Sequence, residues 1–100
     1  DGAAFDAVIC QNDVLARGCI EELERNGCRV PQDVAVIGHD NSPDYVSYAH
    51  PLLTSIDDNN EMLGRQAALC LLDAIAGHPH HGVERVPVKL IQRESTLPLD

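Results

Sequence analysis

Apolar runs and polar breaks follow one another along this chain in a strand, helix, strand rhythm. Val34-Ala35-Val36-Ile37 sets four apolar residues in a row, three of them β-branched, ahead of Gly38 and the polar His39-Asp40-Asn41. Such an unbroken run predicts a strand covered on both faces of a parallel sheet. Gly38 then predicts a sharp turn or a close backbone approach. Ala7-Val8-Ile9-Cys10 predicts a second buried strand. Between the two runs, Leu15, Ala16, Cys19, Ile20 and Leu23 recur at three- and four-residue intervals. That spacing predicts a helix from about Asp13 to Asn26, with Glu21, Glu22, Glu24 and Arg25 largely on its wet side. Asn12 or Asp13 supplies the N-cap, and Gly27 suits the position just past the end.

Strand, helix and strand within about thirty residues make a βαβ unit. Its two strand ends, Cys10 to Asp13 and Gly38 to Asn41, are expected side by side on one sheet edge. In open α/β sheets that carboxyl edge is where ligands bind. Asp40 and Asn41 are therefore candidate site residues, against the plainer reading of a βα turn whose side chains bond their own backbone.

Beyond Asn41 the pattern loosens. Residues 42–53 contain Pro43 and Pro51 and predict an irregular segment, in which Tyr45, Val46 and Tyr48 are apolar enough to pack on something, a partner chain included. Leu52 to Ile56 predicts the next strand. From about Asn59 to Ala76 apolar residues cover a wide helical sector, so a well-buried helix is expected, with Gly64 marking a close approach. A loop with His78, His80 and His81 follows. Three histidines in four positions raise a metal site, but no Cys or carboxylate accompanies them locally, and a solvated loop without metal is the expectation. Val86, Val88, Leu90 and Ile91 predict a last strand, and Arg93-Glu94-Ser95-Thr96 leads into a proline-containing tail.

Composition narrows the function classes. One hundred residues allow at most one small domain, and 44% hydrophobic content is enough for a core. A formal charge of −9 and the lack of any basic run make this segment a poor phosphate-backbone binder on its own. Three aromatic residues and no Trp argue against base or sugar-ring stacking. Cys10, Cys19, Cys28 and Cys70 have neither C-x-x-C nor zinc spacing and read as small buried hydrophobes of a reducing cytosol, a disulfide between two of them being the alternative the sequence leaves open. No apolar run reaches membrane-spanning length. The first residues run straight into a strand without a Met or signal peptide, so the chain is expected to be part of a longer protein.

Five segments, in order and in register, resemble one family. Asn12-Asp13-Val14-Leu15-Ala16-Arg17-Gly18 is similar to the N-D-x-x-A-x-G motif of the LacI/GalR family of bacterial transcription regulators. Arg29 to Asn41 resembles its R-V-P-x-D-[VI]-[SA]-[VI]-[VI]-G-[FY]-D-[DN]. Pro51 to Ile56 is similar to its P-x-L-T-[TS]-[IV], Met62 to Ala68 to its M-G-x-x-A, and Arg93 to Thr96 to its R-x-S-T.

The resemblance implies an α/β fold of the periplasmic-binding-protein-like type, a parallel sheet with flanking helices, present here as a C-terminal fragment. Two subdomains would enclose a cleft, with about residues 1–57 and 91–100 in the C-terminal one and about 58–90 on the N-terminal one. Such a fragment lacks about half its sheet and is not expected to be stable alone. By the same resemblance Asp40, Asn12, Asp58 and Asn60 would meet a small polar effector, a sugar or related metabolite. Asp13, Gly38, His39 and Asn41 would shape the site, and Arg17, Tyr45 and Tyr48 would lie at a homodimer interface. A carboxylate suits sugar recognition because it accepts hydrogen bonds from two hydroxyls. No cofactor is implied, and operator DNA would be met through an N-terminal headpiece outside this chain.

Two positions depart from the family pattern. His39 stands where Phe or Tyr is usual, with consequences for packing and titration, and Asn41 replaces a frequent second Asp. The expected function is the ligand-sensing module of a cytoplasmic, dimeric regulator. A periplasmic sugar-binding protein of a transport system is the alternative, disfavoured by the R-V-P-x-D and R-x-S-T motifs and by the four cysteines. An enzyme built on Asp13, Asp40, Asp57 and Asp58 is not expected, because no nucleophile–base pair is visible.

Overall fold

A computed structural model describes residues 5–97; residues 1–4 of the expected lead-in and 98–100 of the tail lie outside the described residues. Four strands form one sheet in sequence order: β1 (Ala7–Ile9), β2 (Ala35–His39), β3 (Thr54–Asp57) and β4 (Lys89–Ile91). β1, β2 and β3 are parallel, with Ile9 opposite Ile37 and His39 opposite Ile56. β4 returns antiparallel, Leu90 opposite Ile56. The helices are α1 (Asp13–Arg25), the single-turn α2 (Pro43–Val46) and α3 (Asn60–Ile75).

α1 begins and ends as its sequence dictates. The Asn12 side chain accepts from the Leu15 backbone N–H at 2.9 Å and is the N-cap. At the other end Gly27 takes φ +83, and the Gly27 and Cys28 N–H groups donate back to Glu24 and Leu23. A left-handed residue with that bonding pair is the Schellman stop. α1 lies against β2 and, with the segment after β2, encloses the apolar core of Ala16, Ile20, Val30, Val36, Val46 and Leu53.

Several expectations need correction. Neither run is covered on both faces: β1 leaves Ile9 74% exposed, and in β2 only Val36 and Gly38 are buried. α1 covers one face, and nothing among the described residues fully covers the other. Leu15, placed on the apolar face of α1, is exposed, while Asp13 and Arg17 are buried there in polar contacts. The irregular segment contains α2. The four cysteines are free and only half-buried. The last strand is shorter than expected, because residues 83–88 have no strand beside them among the described residues.

The largest correction concerns α3. It has no buried residue, and Gly64 faces open space. The radius of gyration is 18.0 Å, against about 13 Å for a compact chain of this length. α3 and its loop therefore stand away from the sheet with their apolar sector uncovered.

The R-E-S-T segment closes the sheet at the other end. Ser95 is fully buried; its Oγ donates to the Val36 carbonyl at 2.6 Å and accepts from the Thr54 N–H at 2.8 Å. It thereby bridges β2 and β3 before their ladder begins.

Candidate functional site

The carboxyl ends of β1, β2 and β3 gather the polar residues. Cys10 N–H donates to the Ile37 carbonyl and Asp40 N–H to the Ile56 carbonyl, so the pairing continues one step past the strands. The loops after β1 and β2 thus emerge together, as the topology requires of a ligand edge.

Asp13 builds the floor of this edge. It is 1% exposed; Oδ2 accepts from the Ser42 N–H and Oδ1 from the Ser55 hydroxyl, both at 2.6 Å. Ser55 Oγ in turn accepts from the Asn41 N–H at 3.0 Å. One buried carboxylate therefore ties α1 to the loop after β2 and to β3. Gly38 lies directly beneath it: a Cβ there would meet Asp13 Oδ1 at well under 3.0 Å. Close approach, rather than a turn, explains this glycine. The turn falls instead on Asp40 (φ 104) and Asn41 (φ 53). Such left-handed backbone in a non-glycine residue is strained and recurs at ligand sites.

His39, Asp40 and Asp58 form a chain across the edge. His39 Nδ1 lies 3.2 Å from Asp40 Oδ1, and Nε2 lies 2.8 Å from Asp58 Oδ1. An imidazole flanked this way donates to both carboxylates only as imidazolium. Half of the Asp40 side chain remains open to solvent, against 19% for Asp58. Burial first, then hydrogen bonding and repulsion from Asp40, push the Asp58 carboxyl up, although His39 opposes the shift. The neighbouring Asp57 moves the opposite way: the Asn59 backbone N–H first, then the Asn41 amide, hold it below the usual carboxylate range. The three side chains also offer one metal-ligating atom each within 4.8 Å of one another.

The other sequence candidates take distinct places. Asn12 stands at the end of β1, half-buried, with its oxygen committed to the α1 cap. Asn60 opens α3 and is exposed. Asn41 is fully engaged, donating to Asp57 Oδ2 at 3.2 Å and accepting from Arg93 Nη2 at 2.7 Å. Arg17, expected at a dimer interface, is instead 3% exposed inside this chain. Its guanidinium donates to the Tyr45 and Pro51 carbonyls at 2.8 and 3.0 Å and lies 5.0 Å from the Tyr48 ring centroid. Within this chain Arg17 thus holds the surface that Tyr45 and Tyr48 present. Tyr48 itself is 56% exposed and edge-on to Tyr45.

Ser55 and Arg93 were missed as supports of the site. The family-like motifs contained both, but their spacing does not reveal that one relays Asp13 to Asn41 and the other braces Asn41 from the far end of the chain. The histidine loop is also not alone, since Cys70, Asp73 and Glu84 surround His80; α3 and the returning loop supply what the local sequence lacked. A groove of about 700 Å³ opens at the opposite sheet edge, lined by residues including His50, Arg93 and Glu94. It contains none of the candidate site residues.

With this geometry in place, likeness to known proteins becomes informative. Residues 3–96 match the family described as a periplasmic binding protein-like domain. The HTH-type transcriptional repressor CytR of Escherichia coli K12 is 39% identical over 94 residues, 93% of this chain and 27% of CytR. Among solved structures, a dimeric Lac repressor with an 11-residue C-terminal deletion superposes with a TM-score of 0.83 at 33% identity, covering 92% of this chain and 34% of that one. A complex of the transcriptional regulator CelR with cellobiose gives a TM-score of 0.79 at 37% identity, covering 90% and 28%. The chain spans about a quarter of the length of the curated relatives it matches.

Proposed function

This chain belongs to the periplasmic-binding-protein-like domain family, in its LacI/GalR-type branch, and corresponds to the C-terminal part of the effector domain; from that membership we propose that it forms half of an effector-binding cleft in a transcription regulator. The carrying observation is the Asp40 carboxylate, open to solvent at the carboxyl end of a parallel strand and braced through His39 to Asp58. The Asp40 and Asp58 carboxylates make an acceptor-rich edge, suited to a ligand rich in hydroxyl or amino groups, such as a sugar, with Asn12 on the neighbouring loop after β1. The solved CelR–cellobiose complex supports this ligand class. Asn60 reaches the same cleft from α3, and no catalytic step is required of any of these groups.

The uncovered α3 and residues 77–88 are assigned to the second subdomain, whose remaining strands would cover their apolar sector. The 100-residue segment is accordingly not stable without them. Ligand would favour the closed arrangement of the two subdomains and so alter DNA binding by a segment outside this chain. Tyr45 and Tyr48 contribute to a homodimer surface, and the intact protein works in the cytoplasm. Among the described residues, no helix is long and apolar enough to cross a membrane.

The test is calorimetric titration of the intact protein with a panel of mono- and disaccharides and nucleosides, in parallel with DNA-binding assays. Saturable binding of one compound that also shifts DNA affinity supports the reading. Catalytic turnover of a panel member, or no ligand-dependent change in DNA affinity, contradicts it.

A further inference from the structure

Four side chains of three chemical types converge where α3 meets the histidine loop. Cys70 and Asp73 lie three residues apart on α3 and so share a face of that helix. The returning loop brings His80 and Glu84 against them. His80 Nε2 lies 2.5 Å from Asp73 Oδ2, and Nδ1 lies 2.7 Å from Glu84 Oε1. The Cys70 thiol donates to the other Glu84 oxygen at 3.5 Å. One donor atom from each of Cys70, His80 and Glu84 lies within 4.8 Å of the others.

Two features separate this cluster from ordinary surface ion pairs. The first is the donor set. One thiol, one imidazole and one carboxylate match the ligands of a borderline-soft divalent ion, whereas a charge bridge has no use for the thiol. Bond lengths of about 2.0–2.3 Å place tetrahedral zinc ligands roughly 3.3–3.6 Å apart. The Cys70–Glu84 separation of 3.5 Å already matches that value, and the His80–Glu84 separation of 2.7 Å is shorter than it.

The second feature is the placement of Asp73. It takes Nε2, the ring nitrogen that Glu84 does not. Metal-bound histidines commonly donate their second N–H to a carboxylate, which fixes the tautomer and the ring plane. Asp73 thus orients His80 so that Nδ1 faces Glu84, which the Cys70 thiol also contacts.

We propose that Cys70, His80 through Nδ1, and Glu84 form a zinc site, with Asp73 positioning His80 and water as the fourth ligand. On binding, bonds form to Cys70 Sγ, His80 Nδ1 and a Glu84 oxygen in place of waters of the hydrated ion, one of which stays as fourth ligand; the Cys70 thiol proton and the proton His80 Nδ1 shares with Glu84 leave to solvent. The metal ties the last turns of α3 to the loop through residue 84.

The intact protein, first stripped with a chelator, would be titrated with zinc alone against a chromophoric competitor, and with cobalt as an optical substitute. One equivalent of zinc is expected to bind, and cobalt should develop a thiolate charge-transfer band. Cys70→Ser should abolish that band; it and His80→Gln should each weaken zinc by about a hundredfold or more, and Asp73→Asn by about ten- to a hundredfold. A His78→Gln/His81→Gln double variant should stay within about threefold, with circular dichroism checking the fold of each variant. No stoichiometric uptake, uptake undiminished in Cys70→Ser, or loss in the His78/His81 variant would overturn the proposal. The cobalt spectrum of the unmutated protein tests thiolate ligation even if a variant fails to fold.

Discussion

Asp13 Oδ1 fills the space that any side chain at Gly38 would need, so the buried carboxylate and the bare strand position require each other. Gly38→Ala must push that carboxylate off Ser55 or bend β2. It should lower the stability of the intact protein by about 2–3 kcal/mol, read from urea unfolding. In an Asp13→Ala background the same change should cost at least about 1 kcal/mol less, because the clashing oxygen is gone. Additive costs would show that the two positions are not coupled.

Ser95 joins two strands through one hydroxyl. Ser95→Ala leaves the Thr54 N–H and the Val36 carbonyl short of a partner in a buried place. A loss of about 1–3 kcal/mol is expected, with faster hydrogen exchange at the Thr54 amide. Unchanged exchange there would remove Ser95 from its bridging role.

Arg17 and Tyr48 should separate in their effects. Arg17→Lys keeps the charge but loses the fork that serves two carbonyls, and should destabilise the fold by about 1–3 kcal/mol. Tyr48→Glu, on the exposed side, should weaken self-association in sedimentation measurements with little change in unfolding. The opposite pattern would return Arg17 to an intersubunit role.

Asp58 gives a signed pH dependence. Its folded-state pKa lies above the ordinary 3.8, chiefly through burial, so the folded protein holds that proton more tightly than the unfolded chain. The associated stabilisation is full below the unfolded value and is lost as pH rises through the folded one. Asp58→Asn removes the titration. The stability of the unmutated protein relative to Asp58→Asn should therefore fall as pH rises above the ordinary 3.8, measured by thermal unfolding. A difference that stays constant or grows would contradict the shift.

The first two strands and the first helix were legible because each rests on local signals, apolar runs for β1 and β2 and capping chemistry at Asn12 and Gly27. The adjacency of the loops after β1 and β2 followed from the βαβ topology. What stayed hidden depends on contacts distant in sequence: Ser55 accepting from Asn41, Arg93 bracing the same Asn41, Arg17 buried beneath Tyr48. The apolar sector of α3 predicted burial, but an amphipathic pattern names no partner, and within this chain that face meets none. The histidine loop was discounted because its neighbours in sequence offer no soft donor; Cys70 and Asp73 arrive from α3, ten and seven residues upstream of His80.

The most direct test of the cleft is the affinity of the intact protein for its sugar or nucleoside ligand, once the panel has found one, before and after Asp40→Ala. If Asp40 receives ligand hydroxyl or amino groups, affinity should drop by about 1.5–3 kcal/mol, roughly ten- to a hundredfold or more. Binding unchanged within about threefold would mean that the ligand does not lie on the β2 edge.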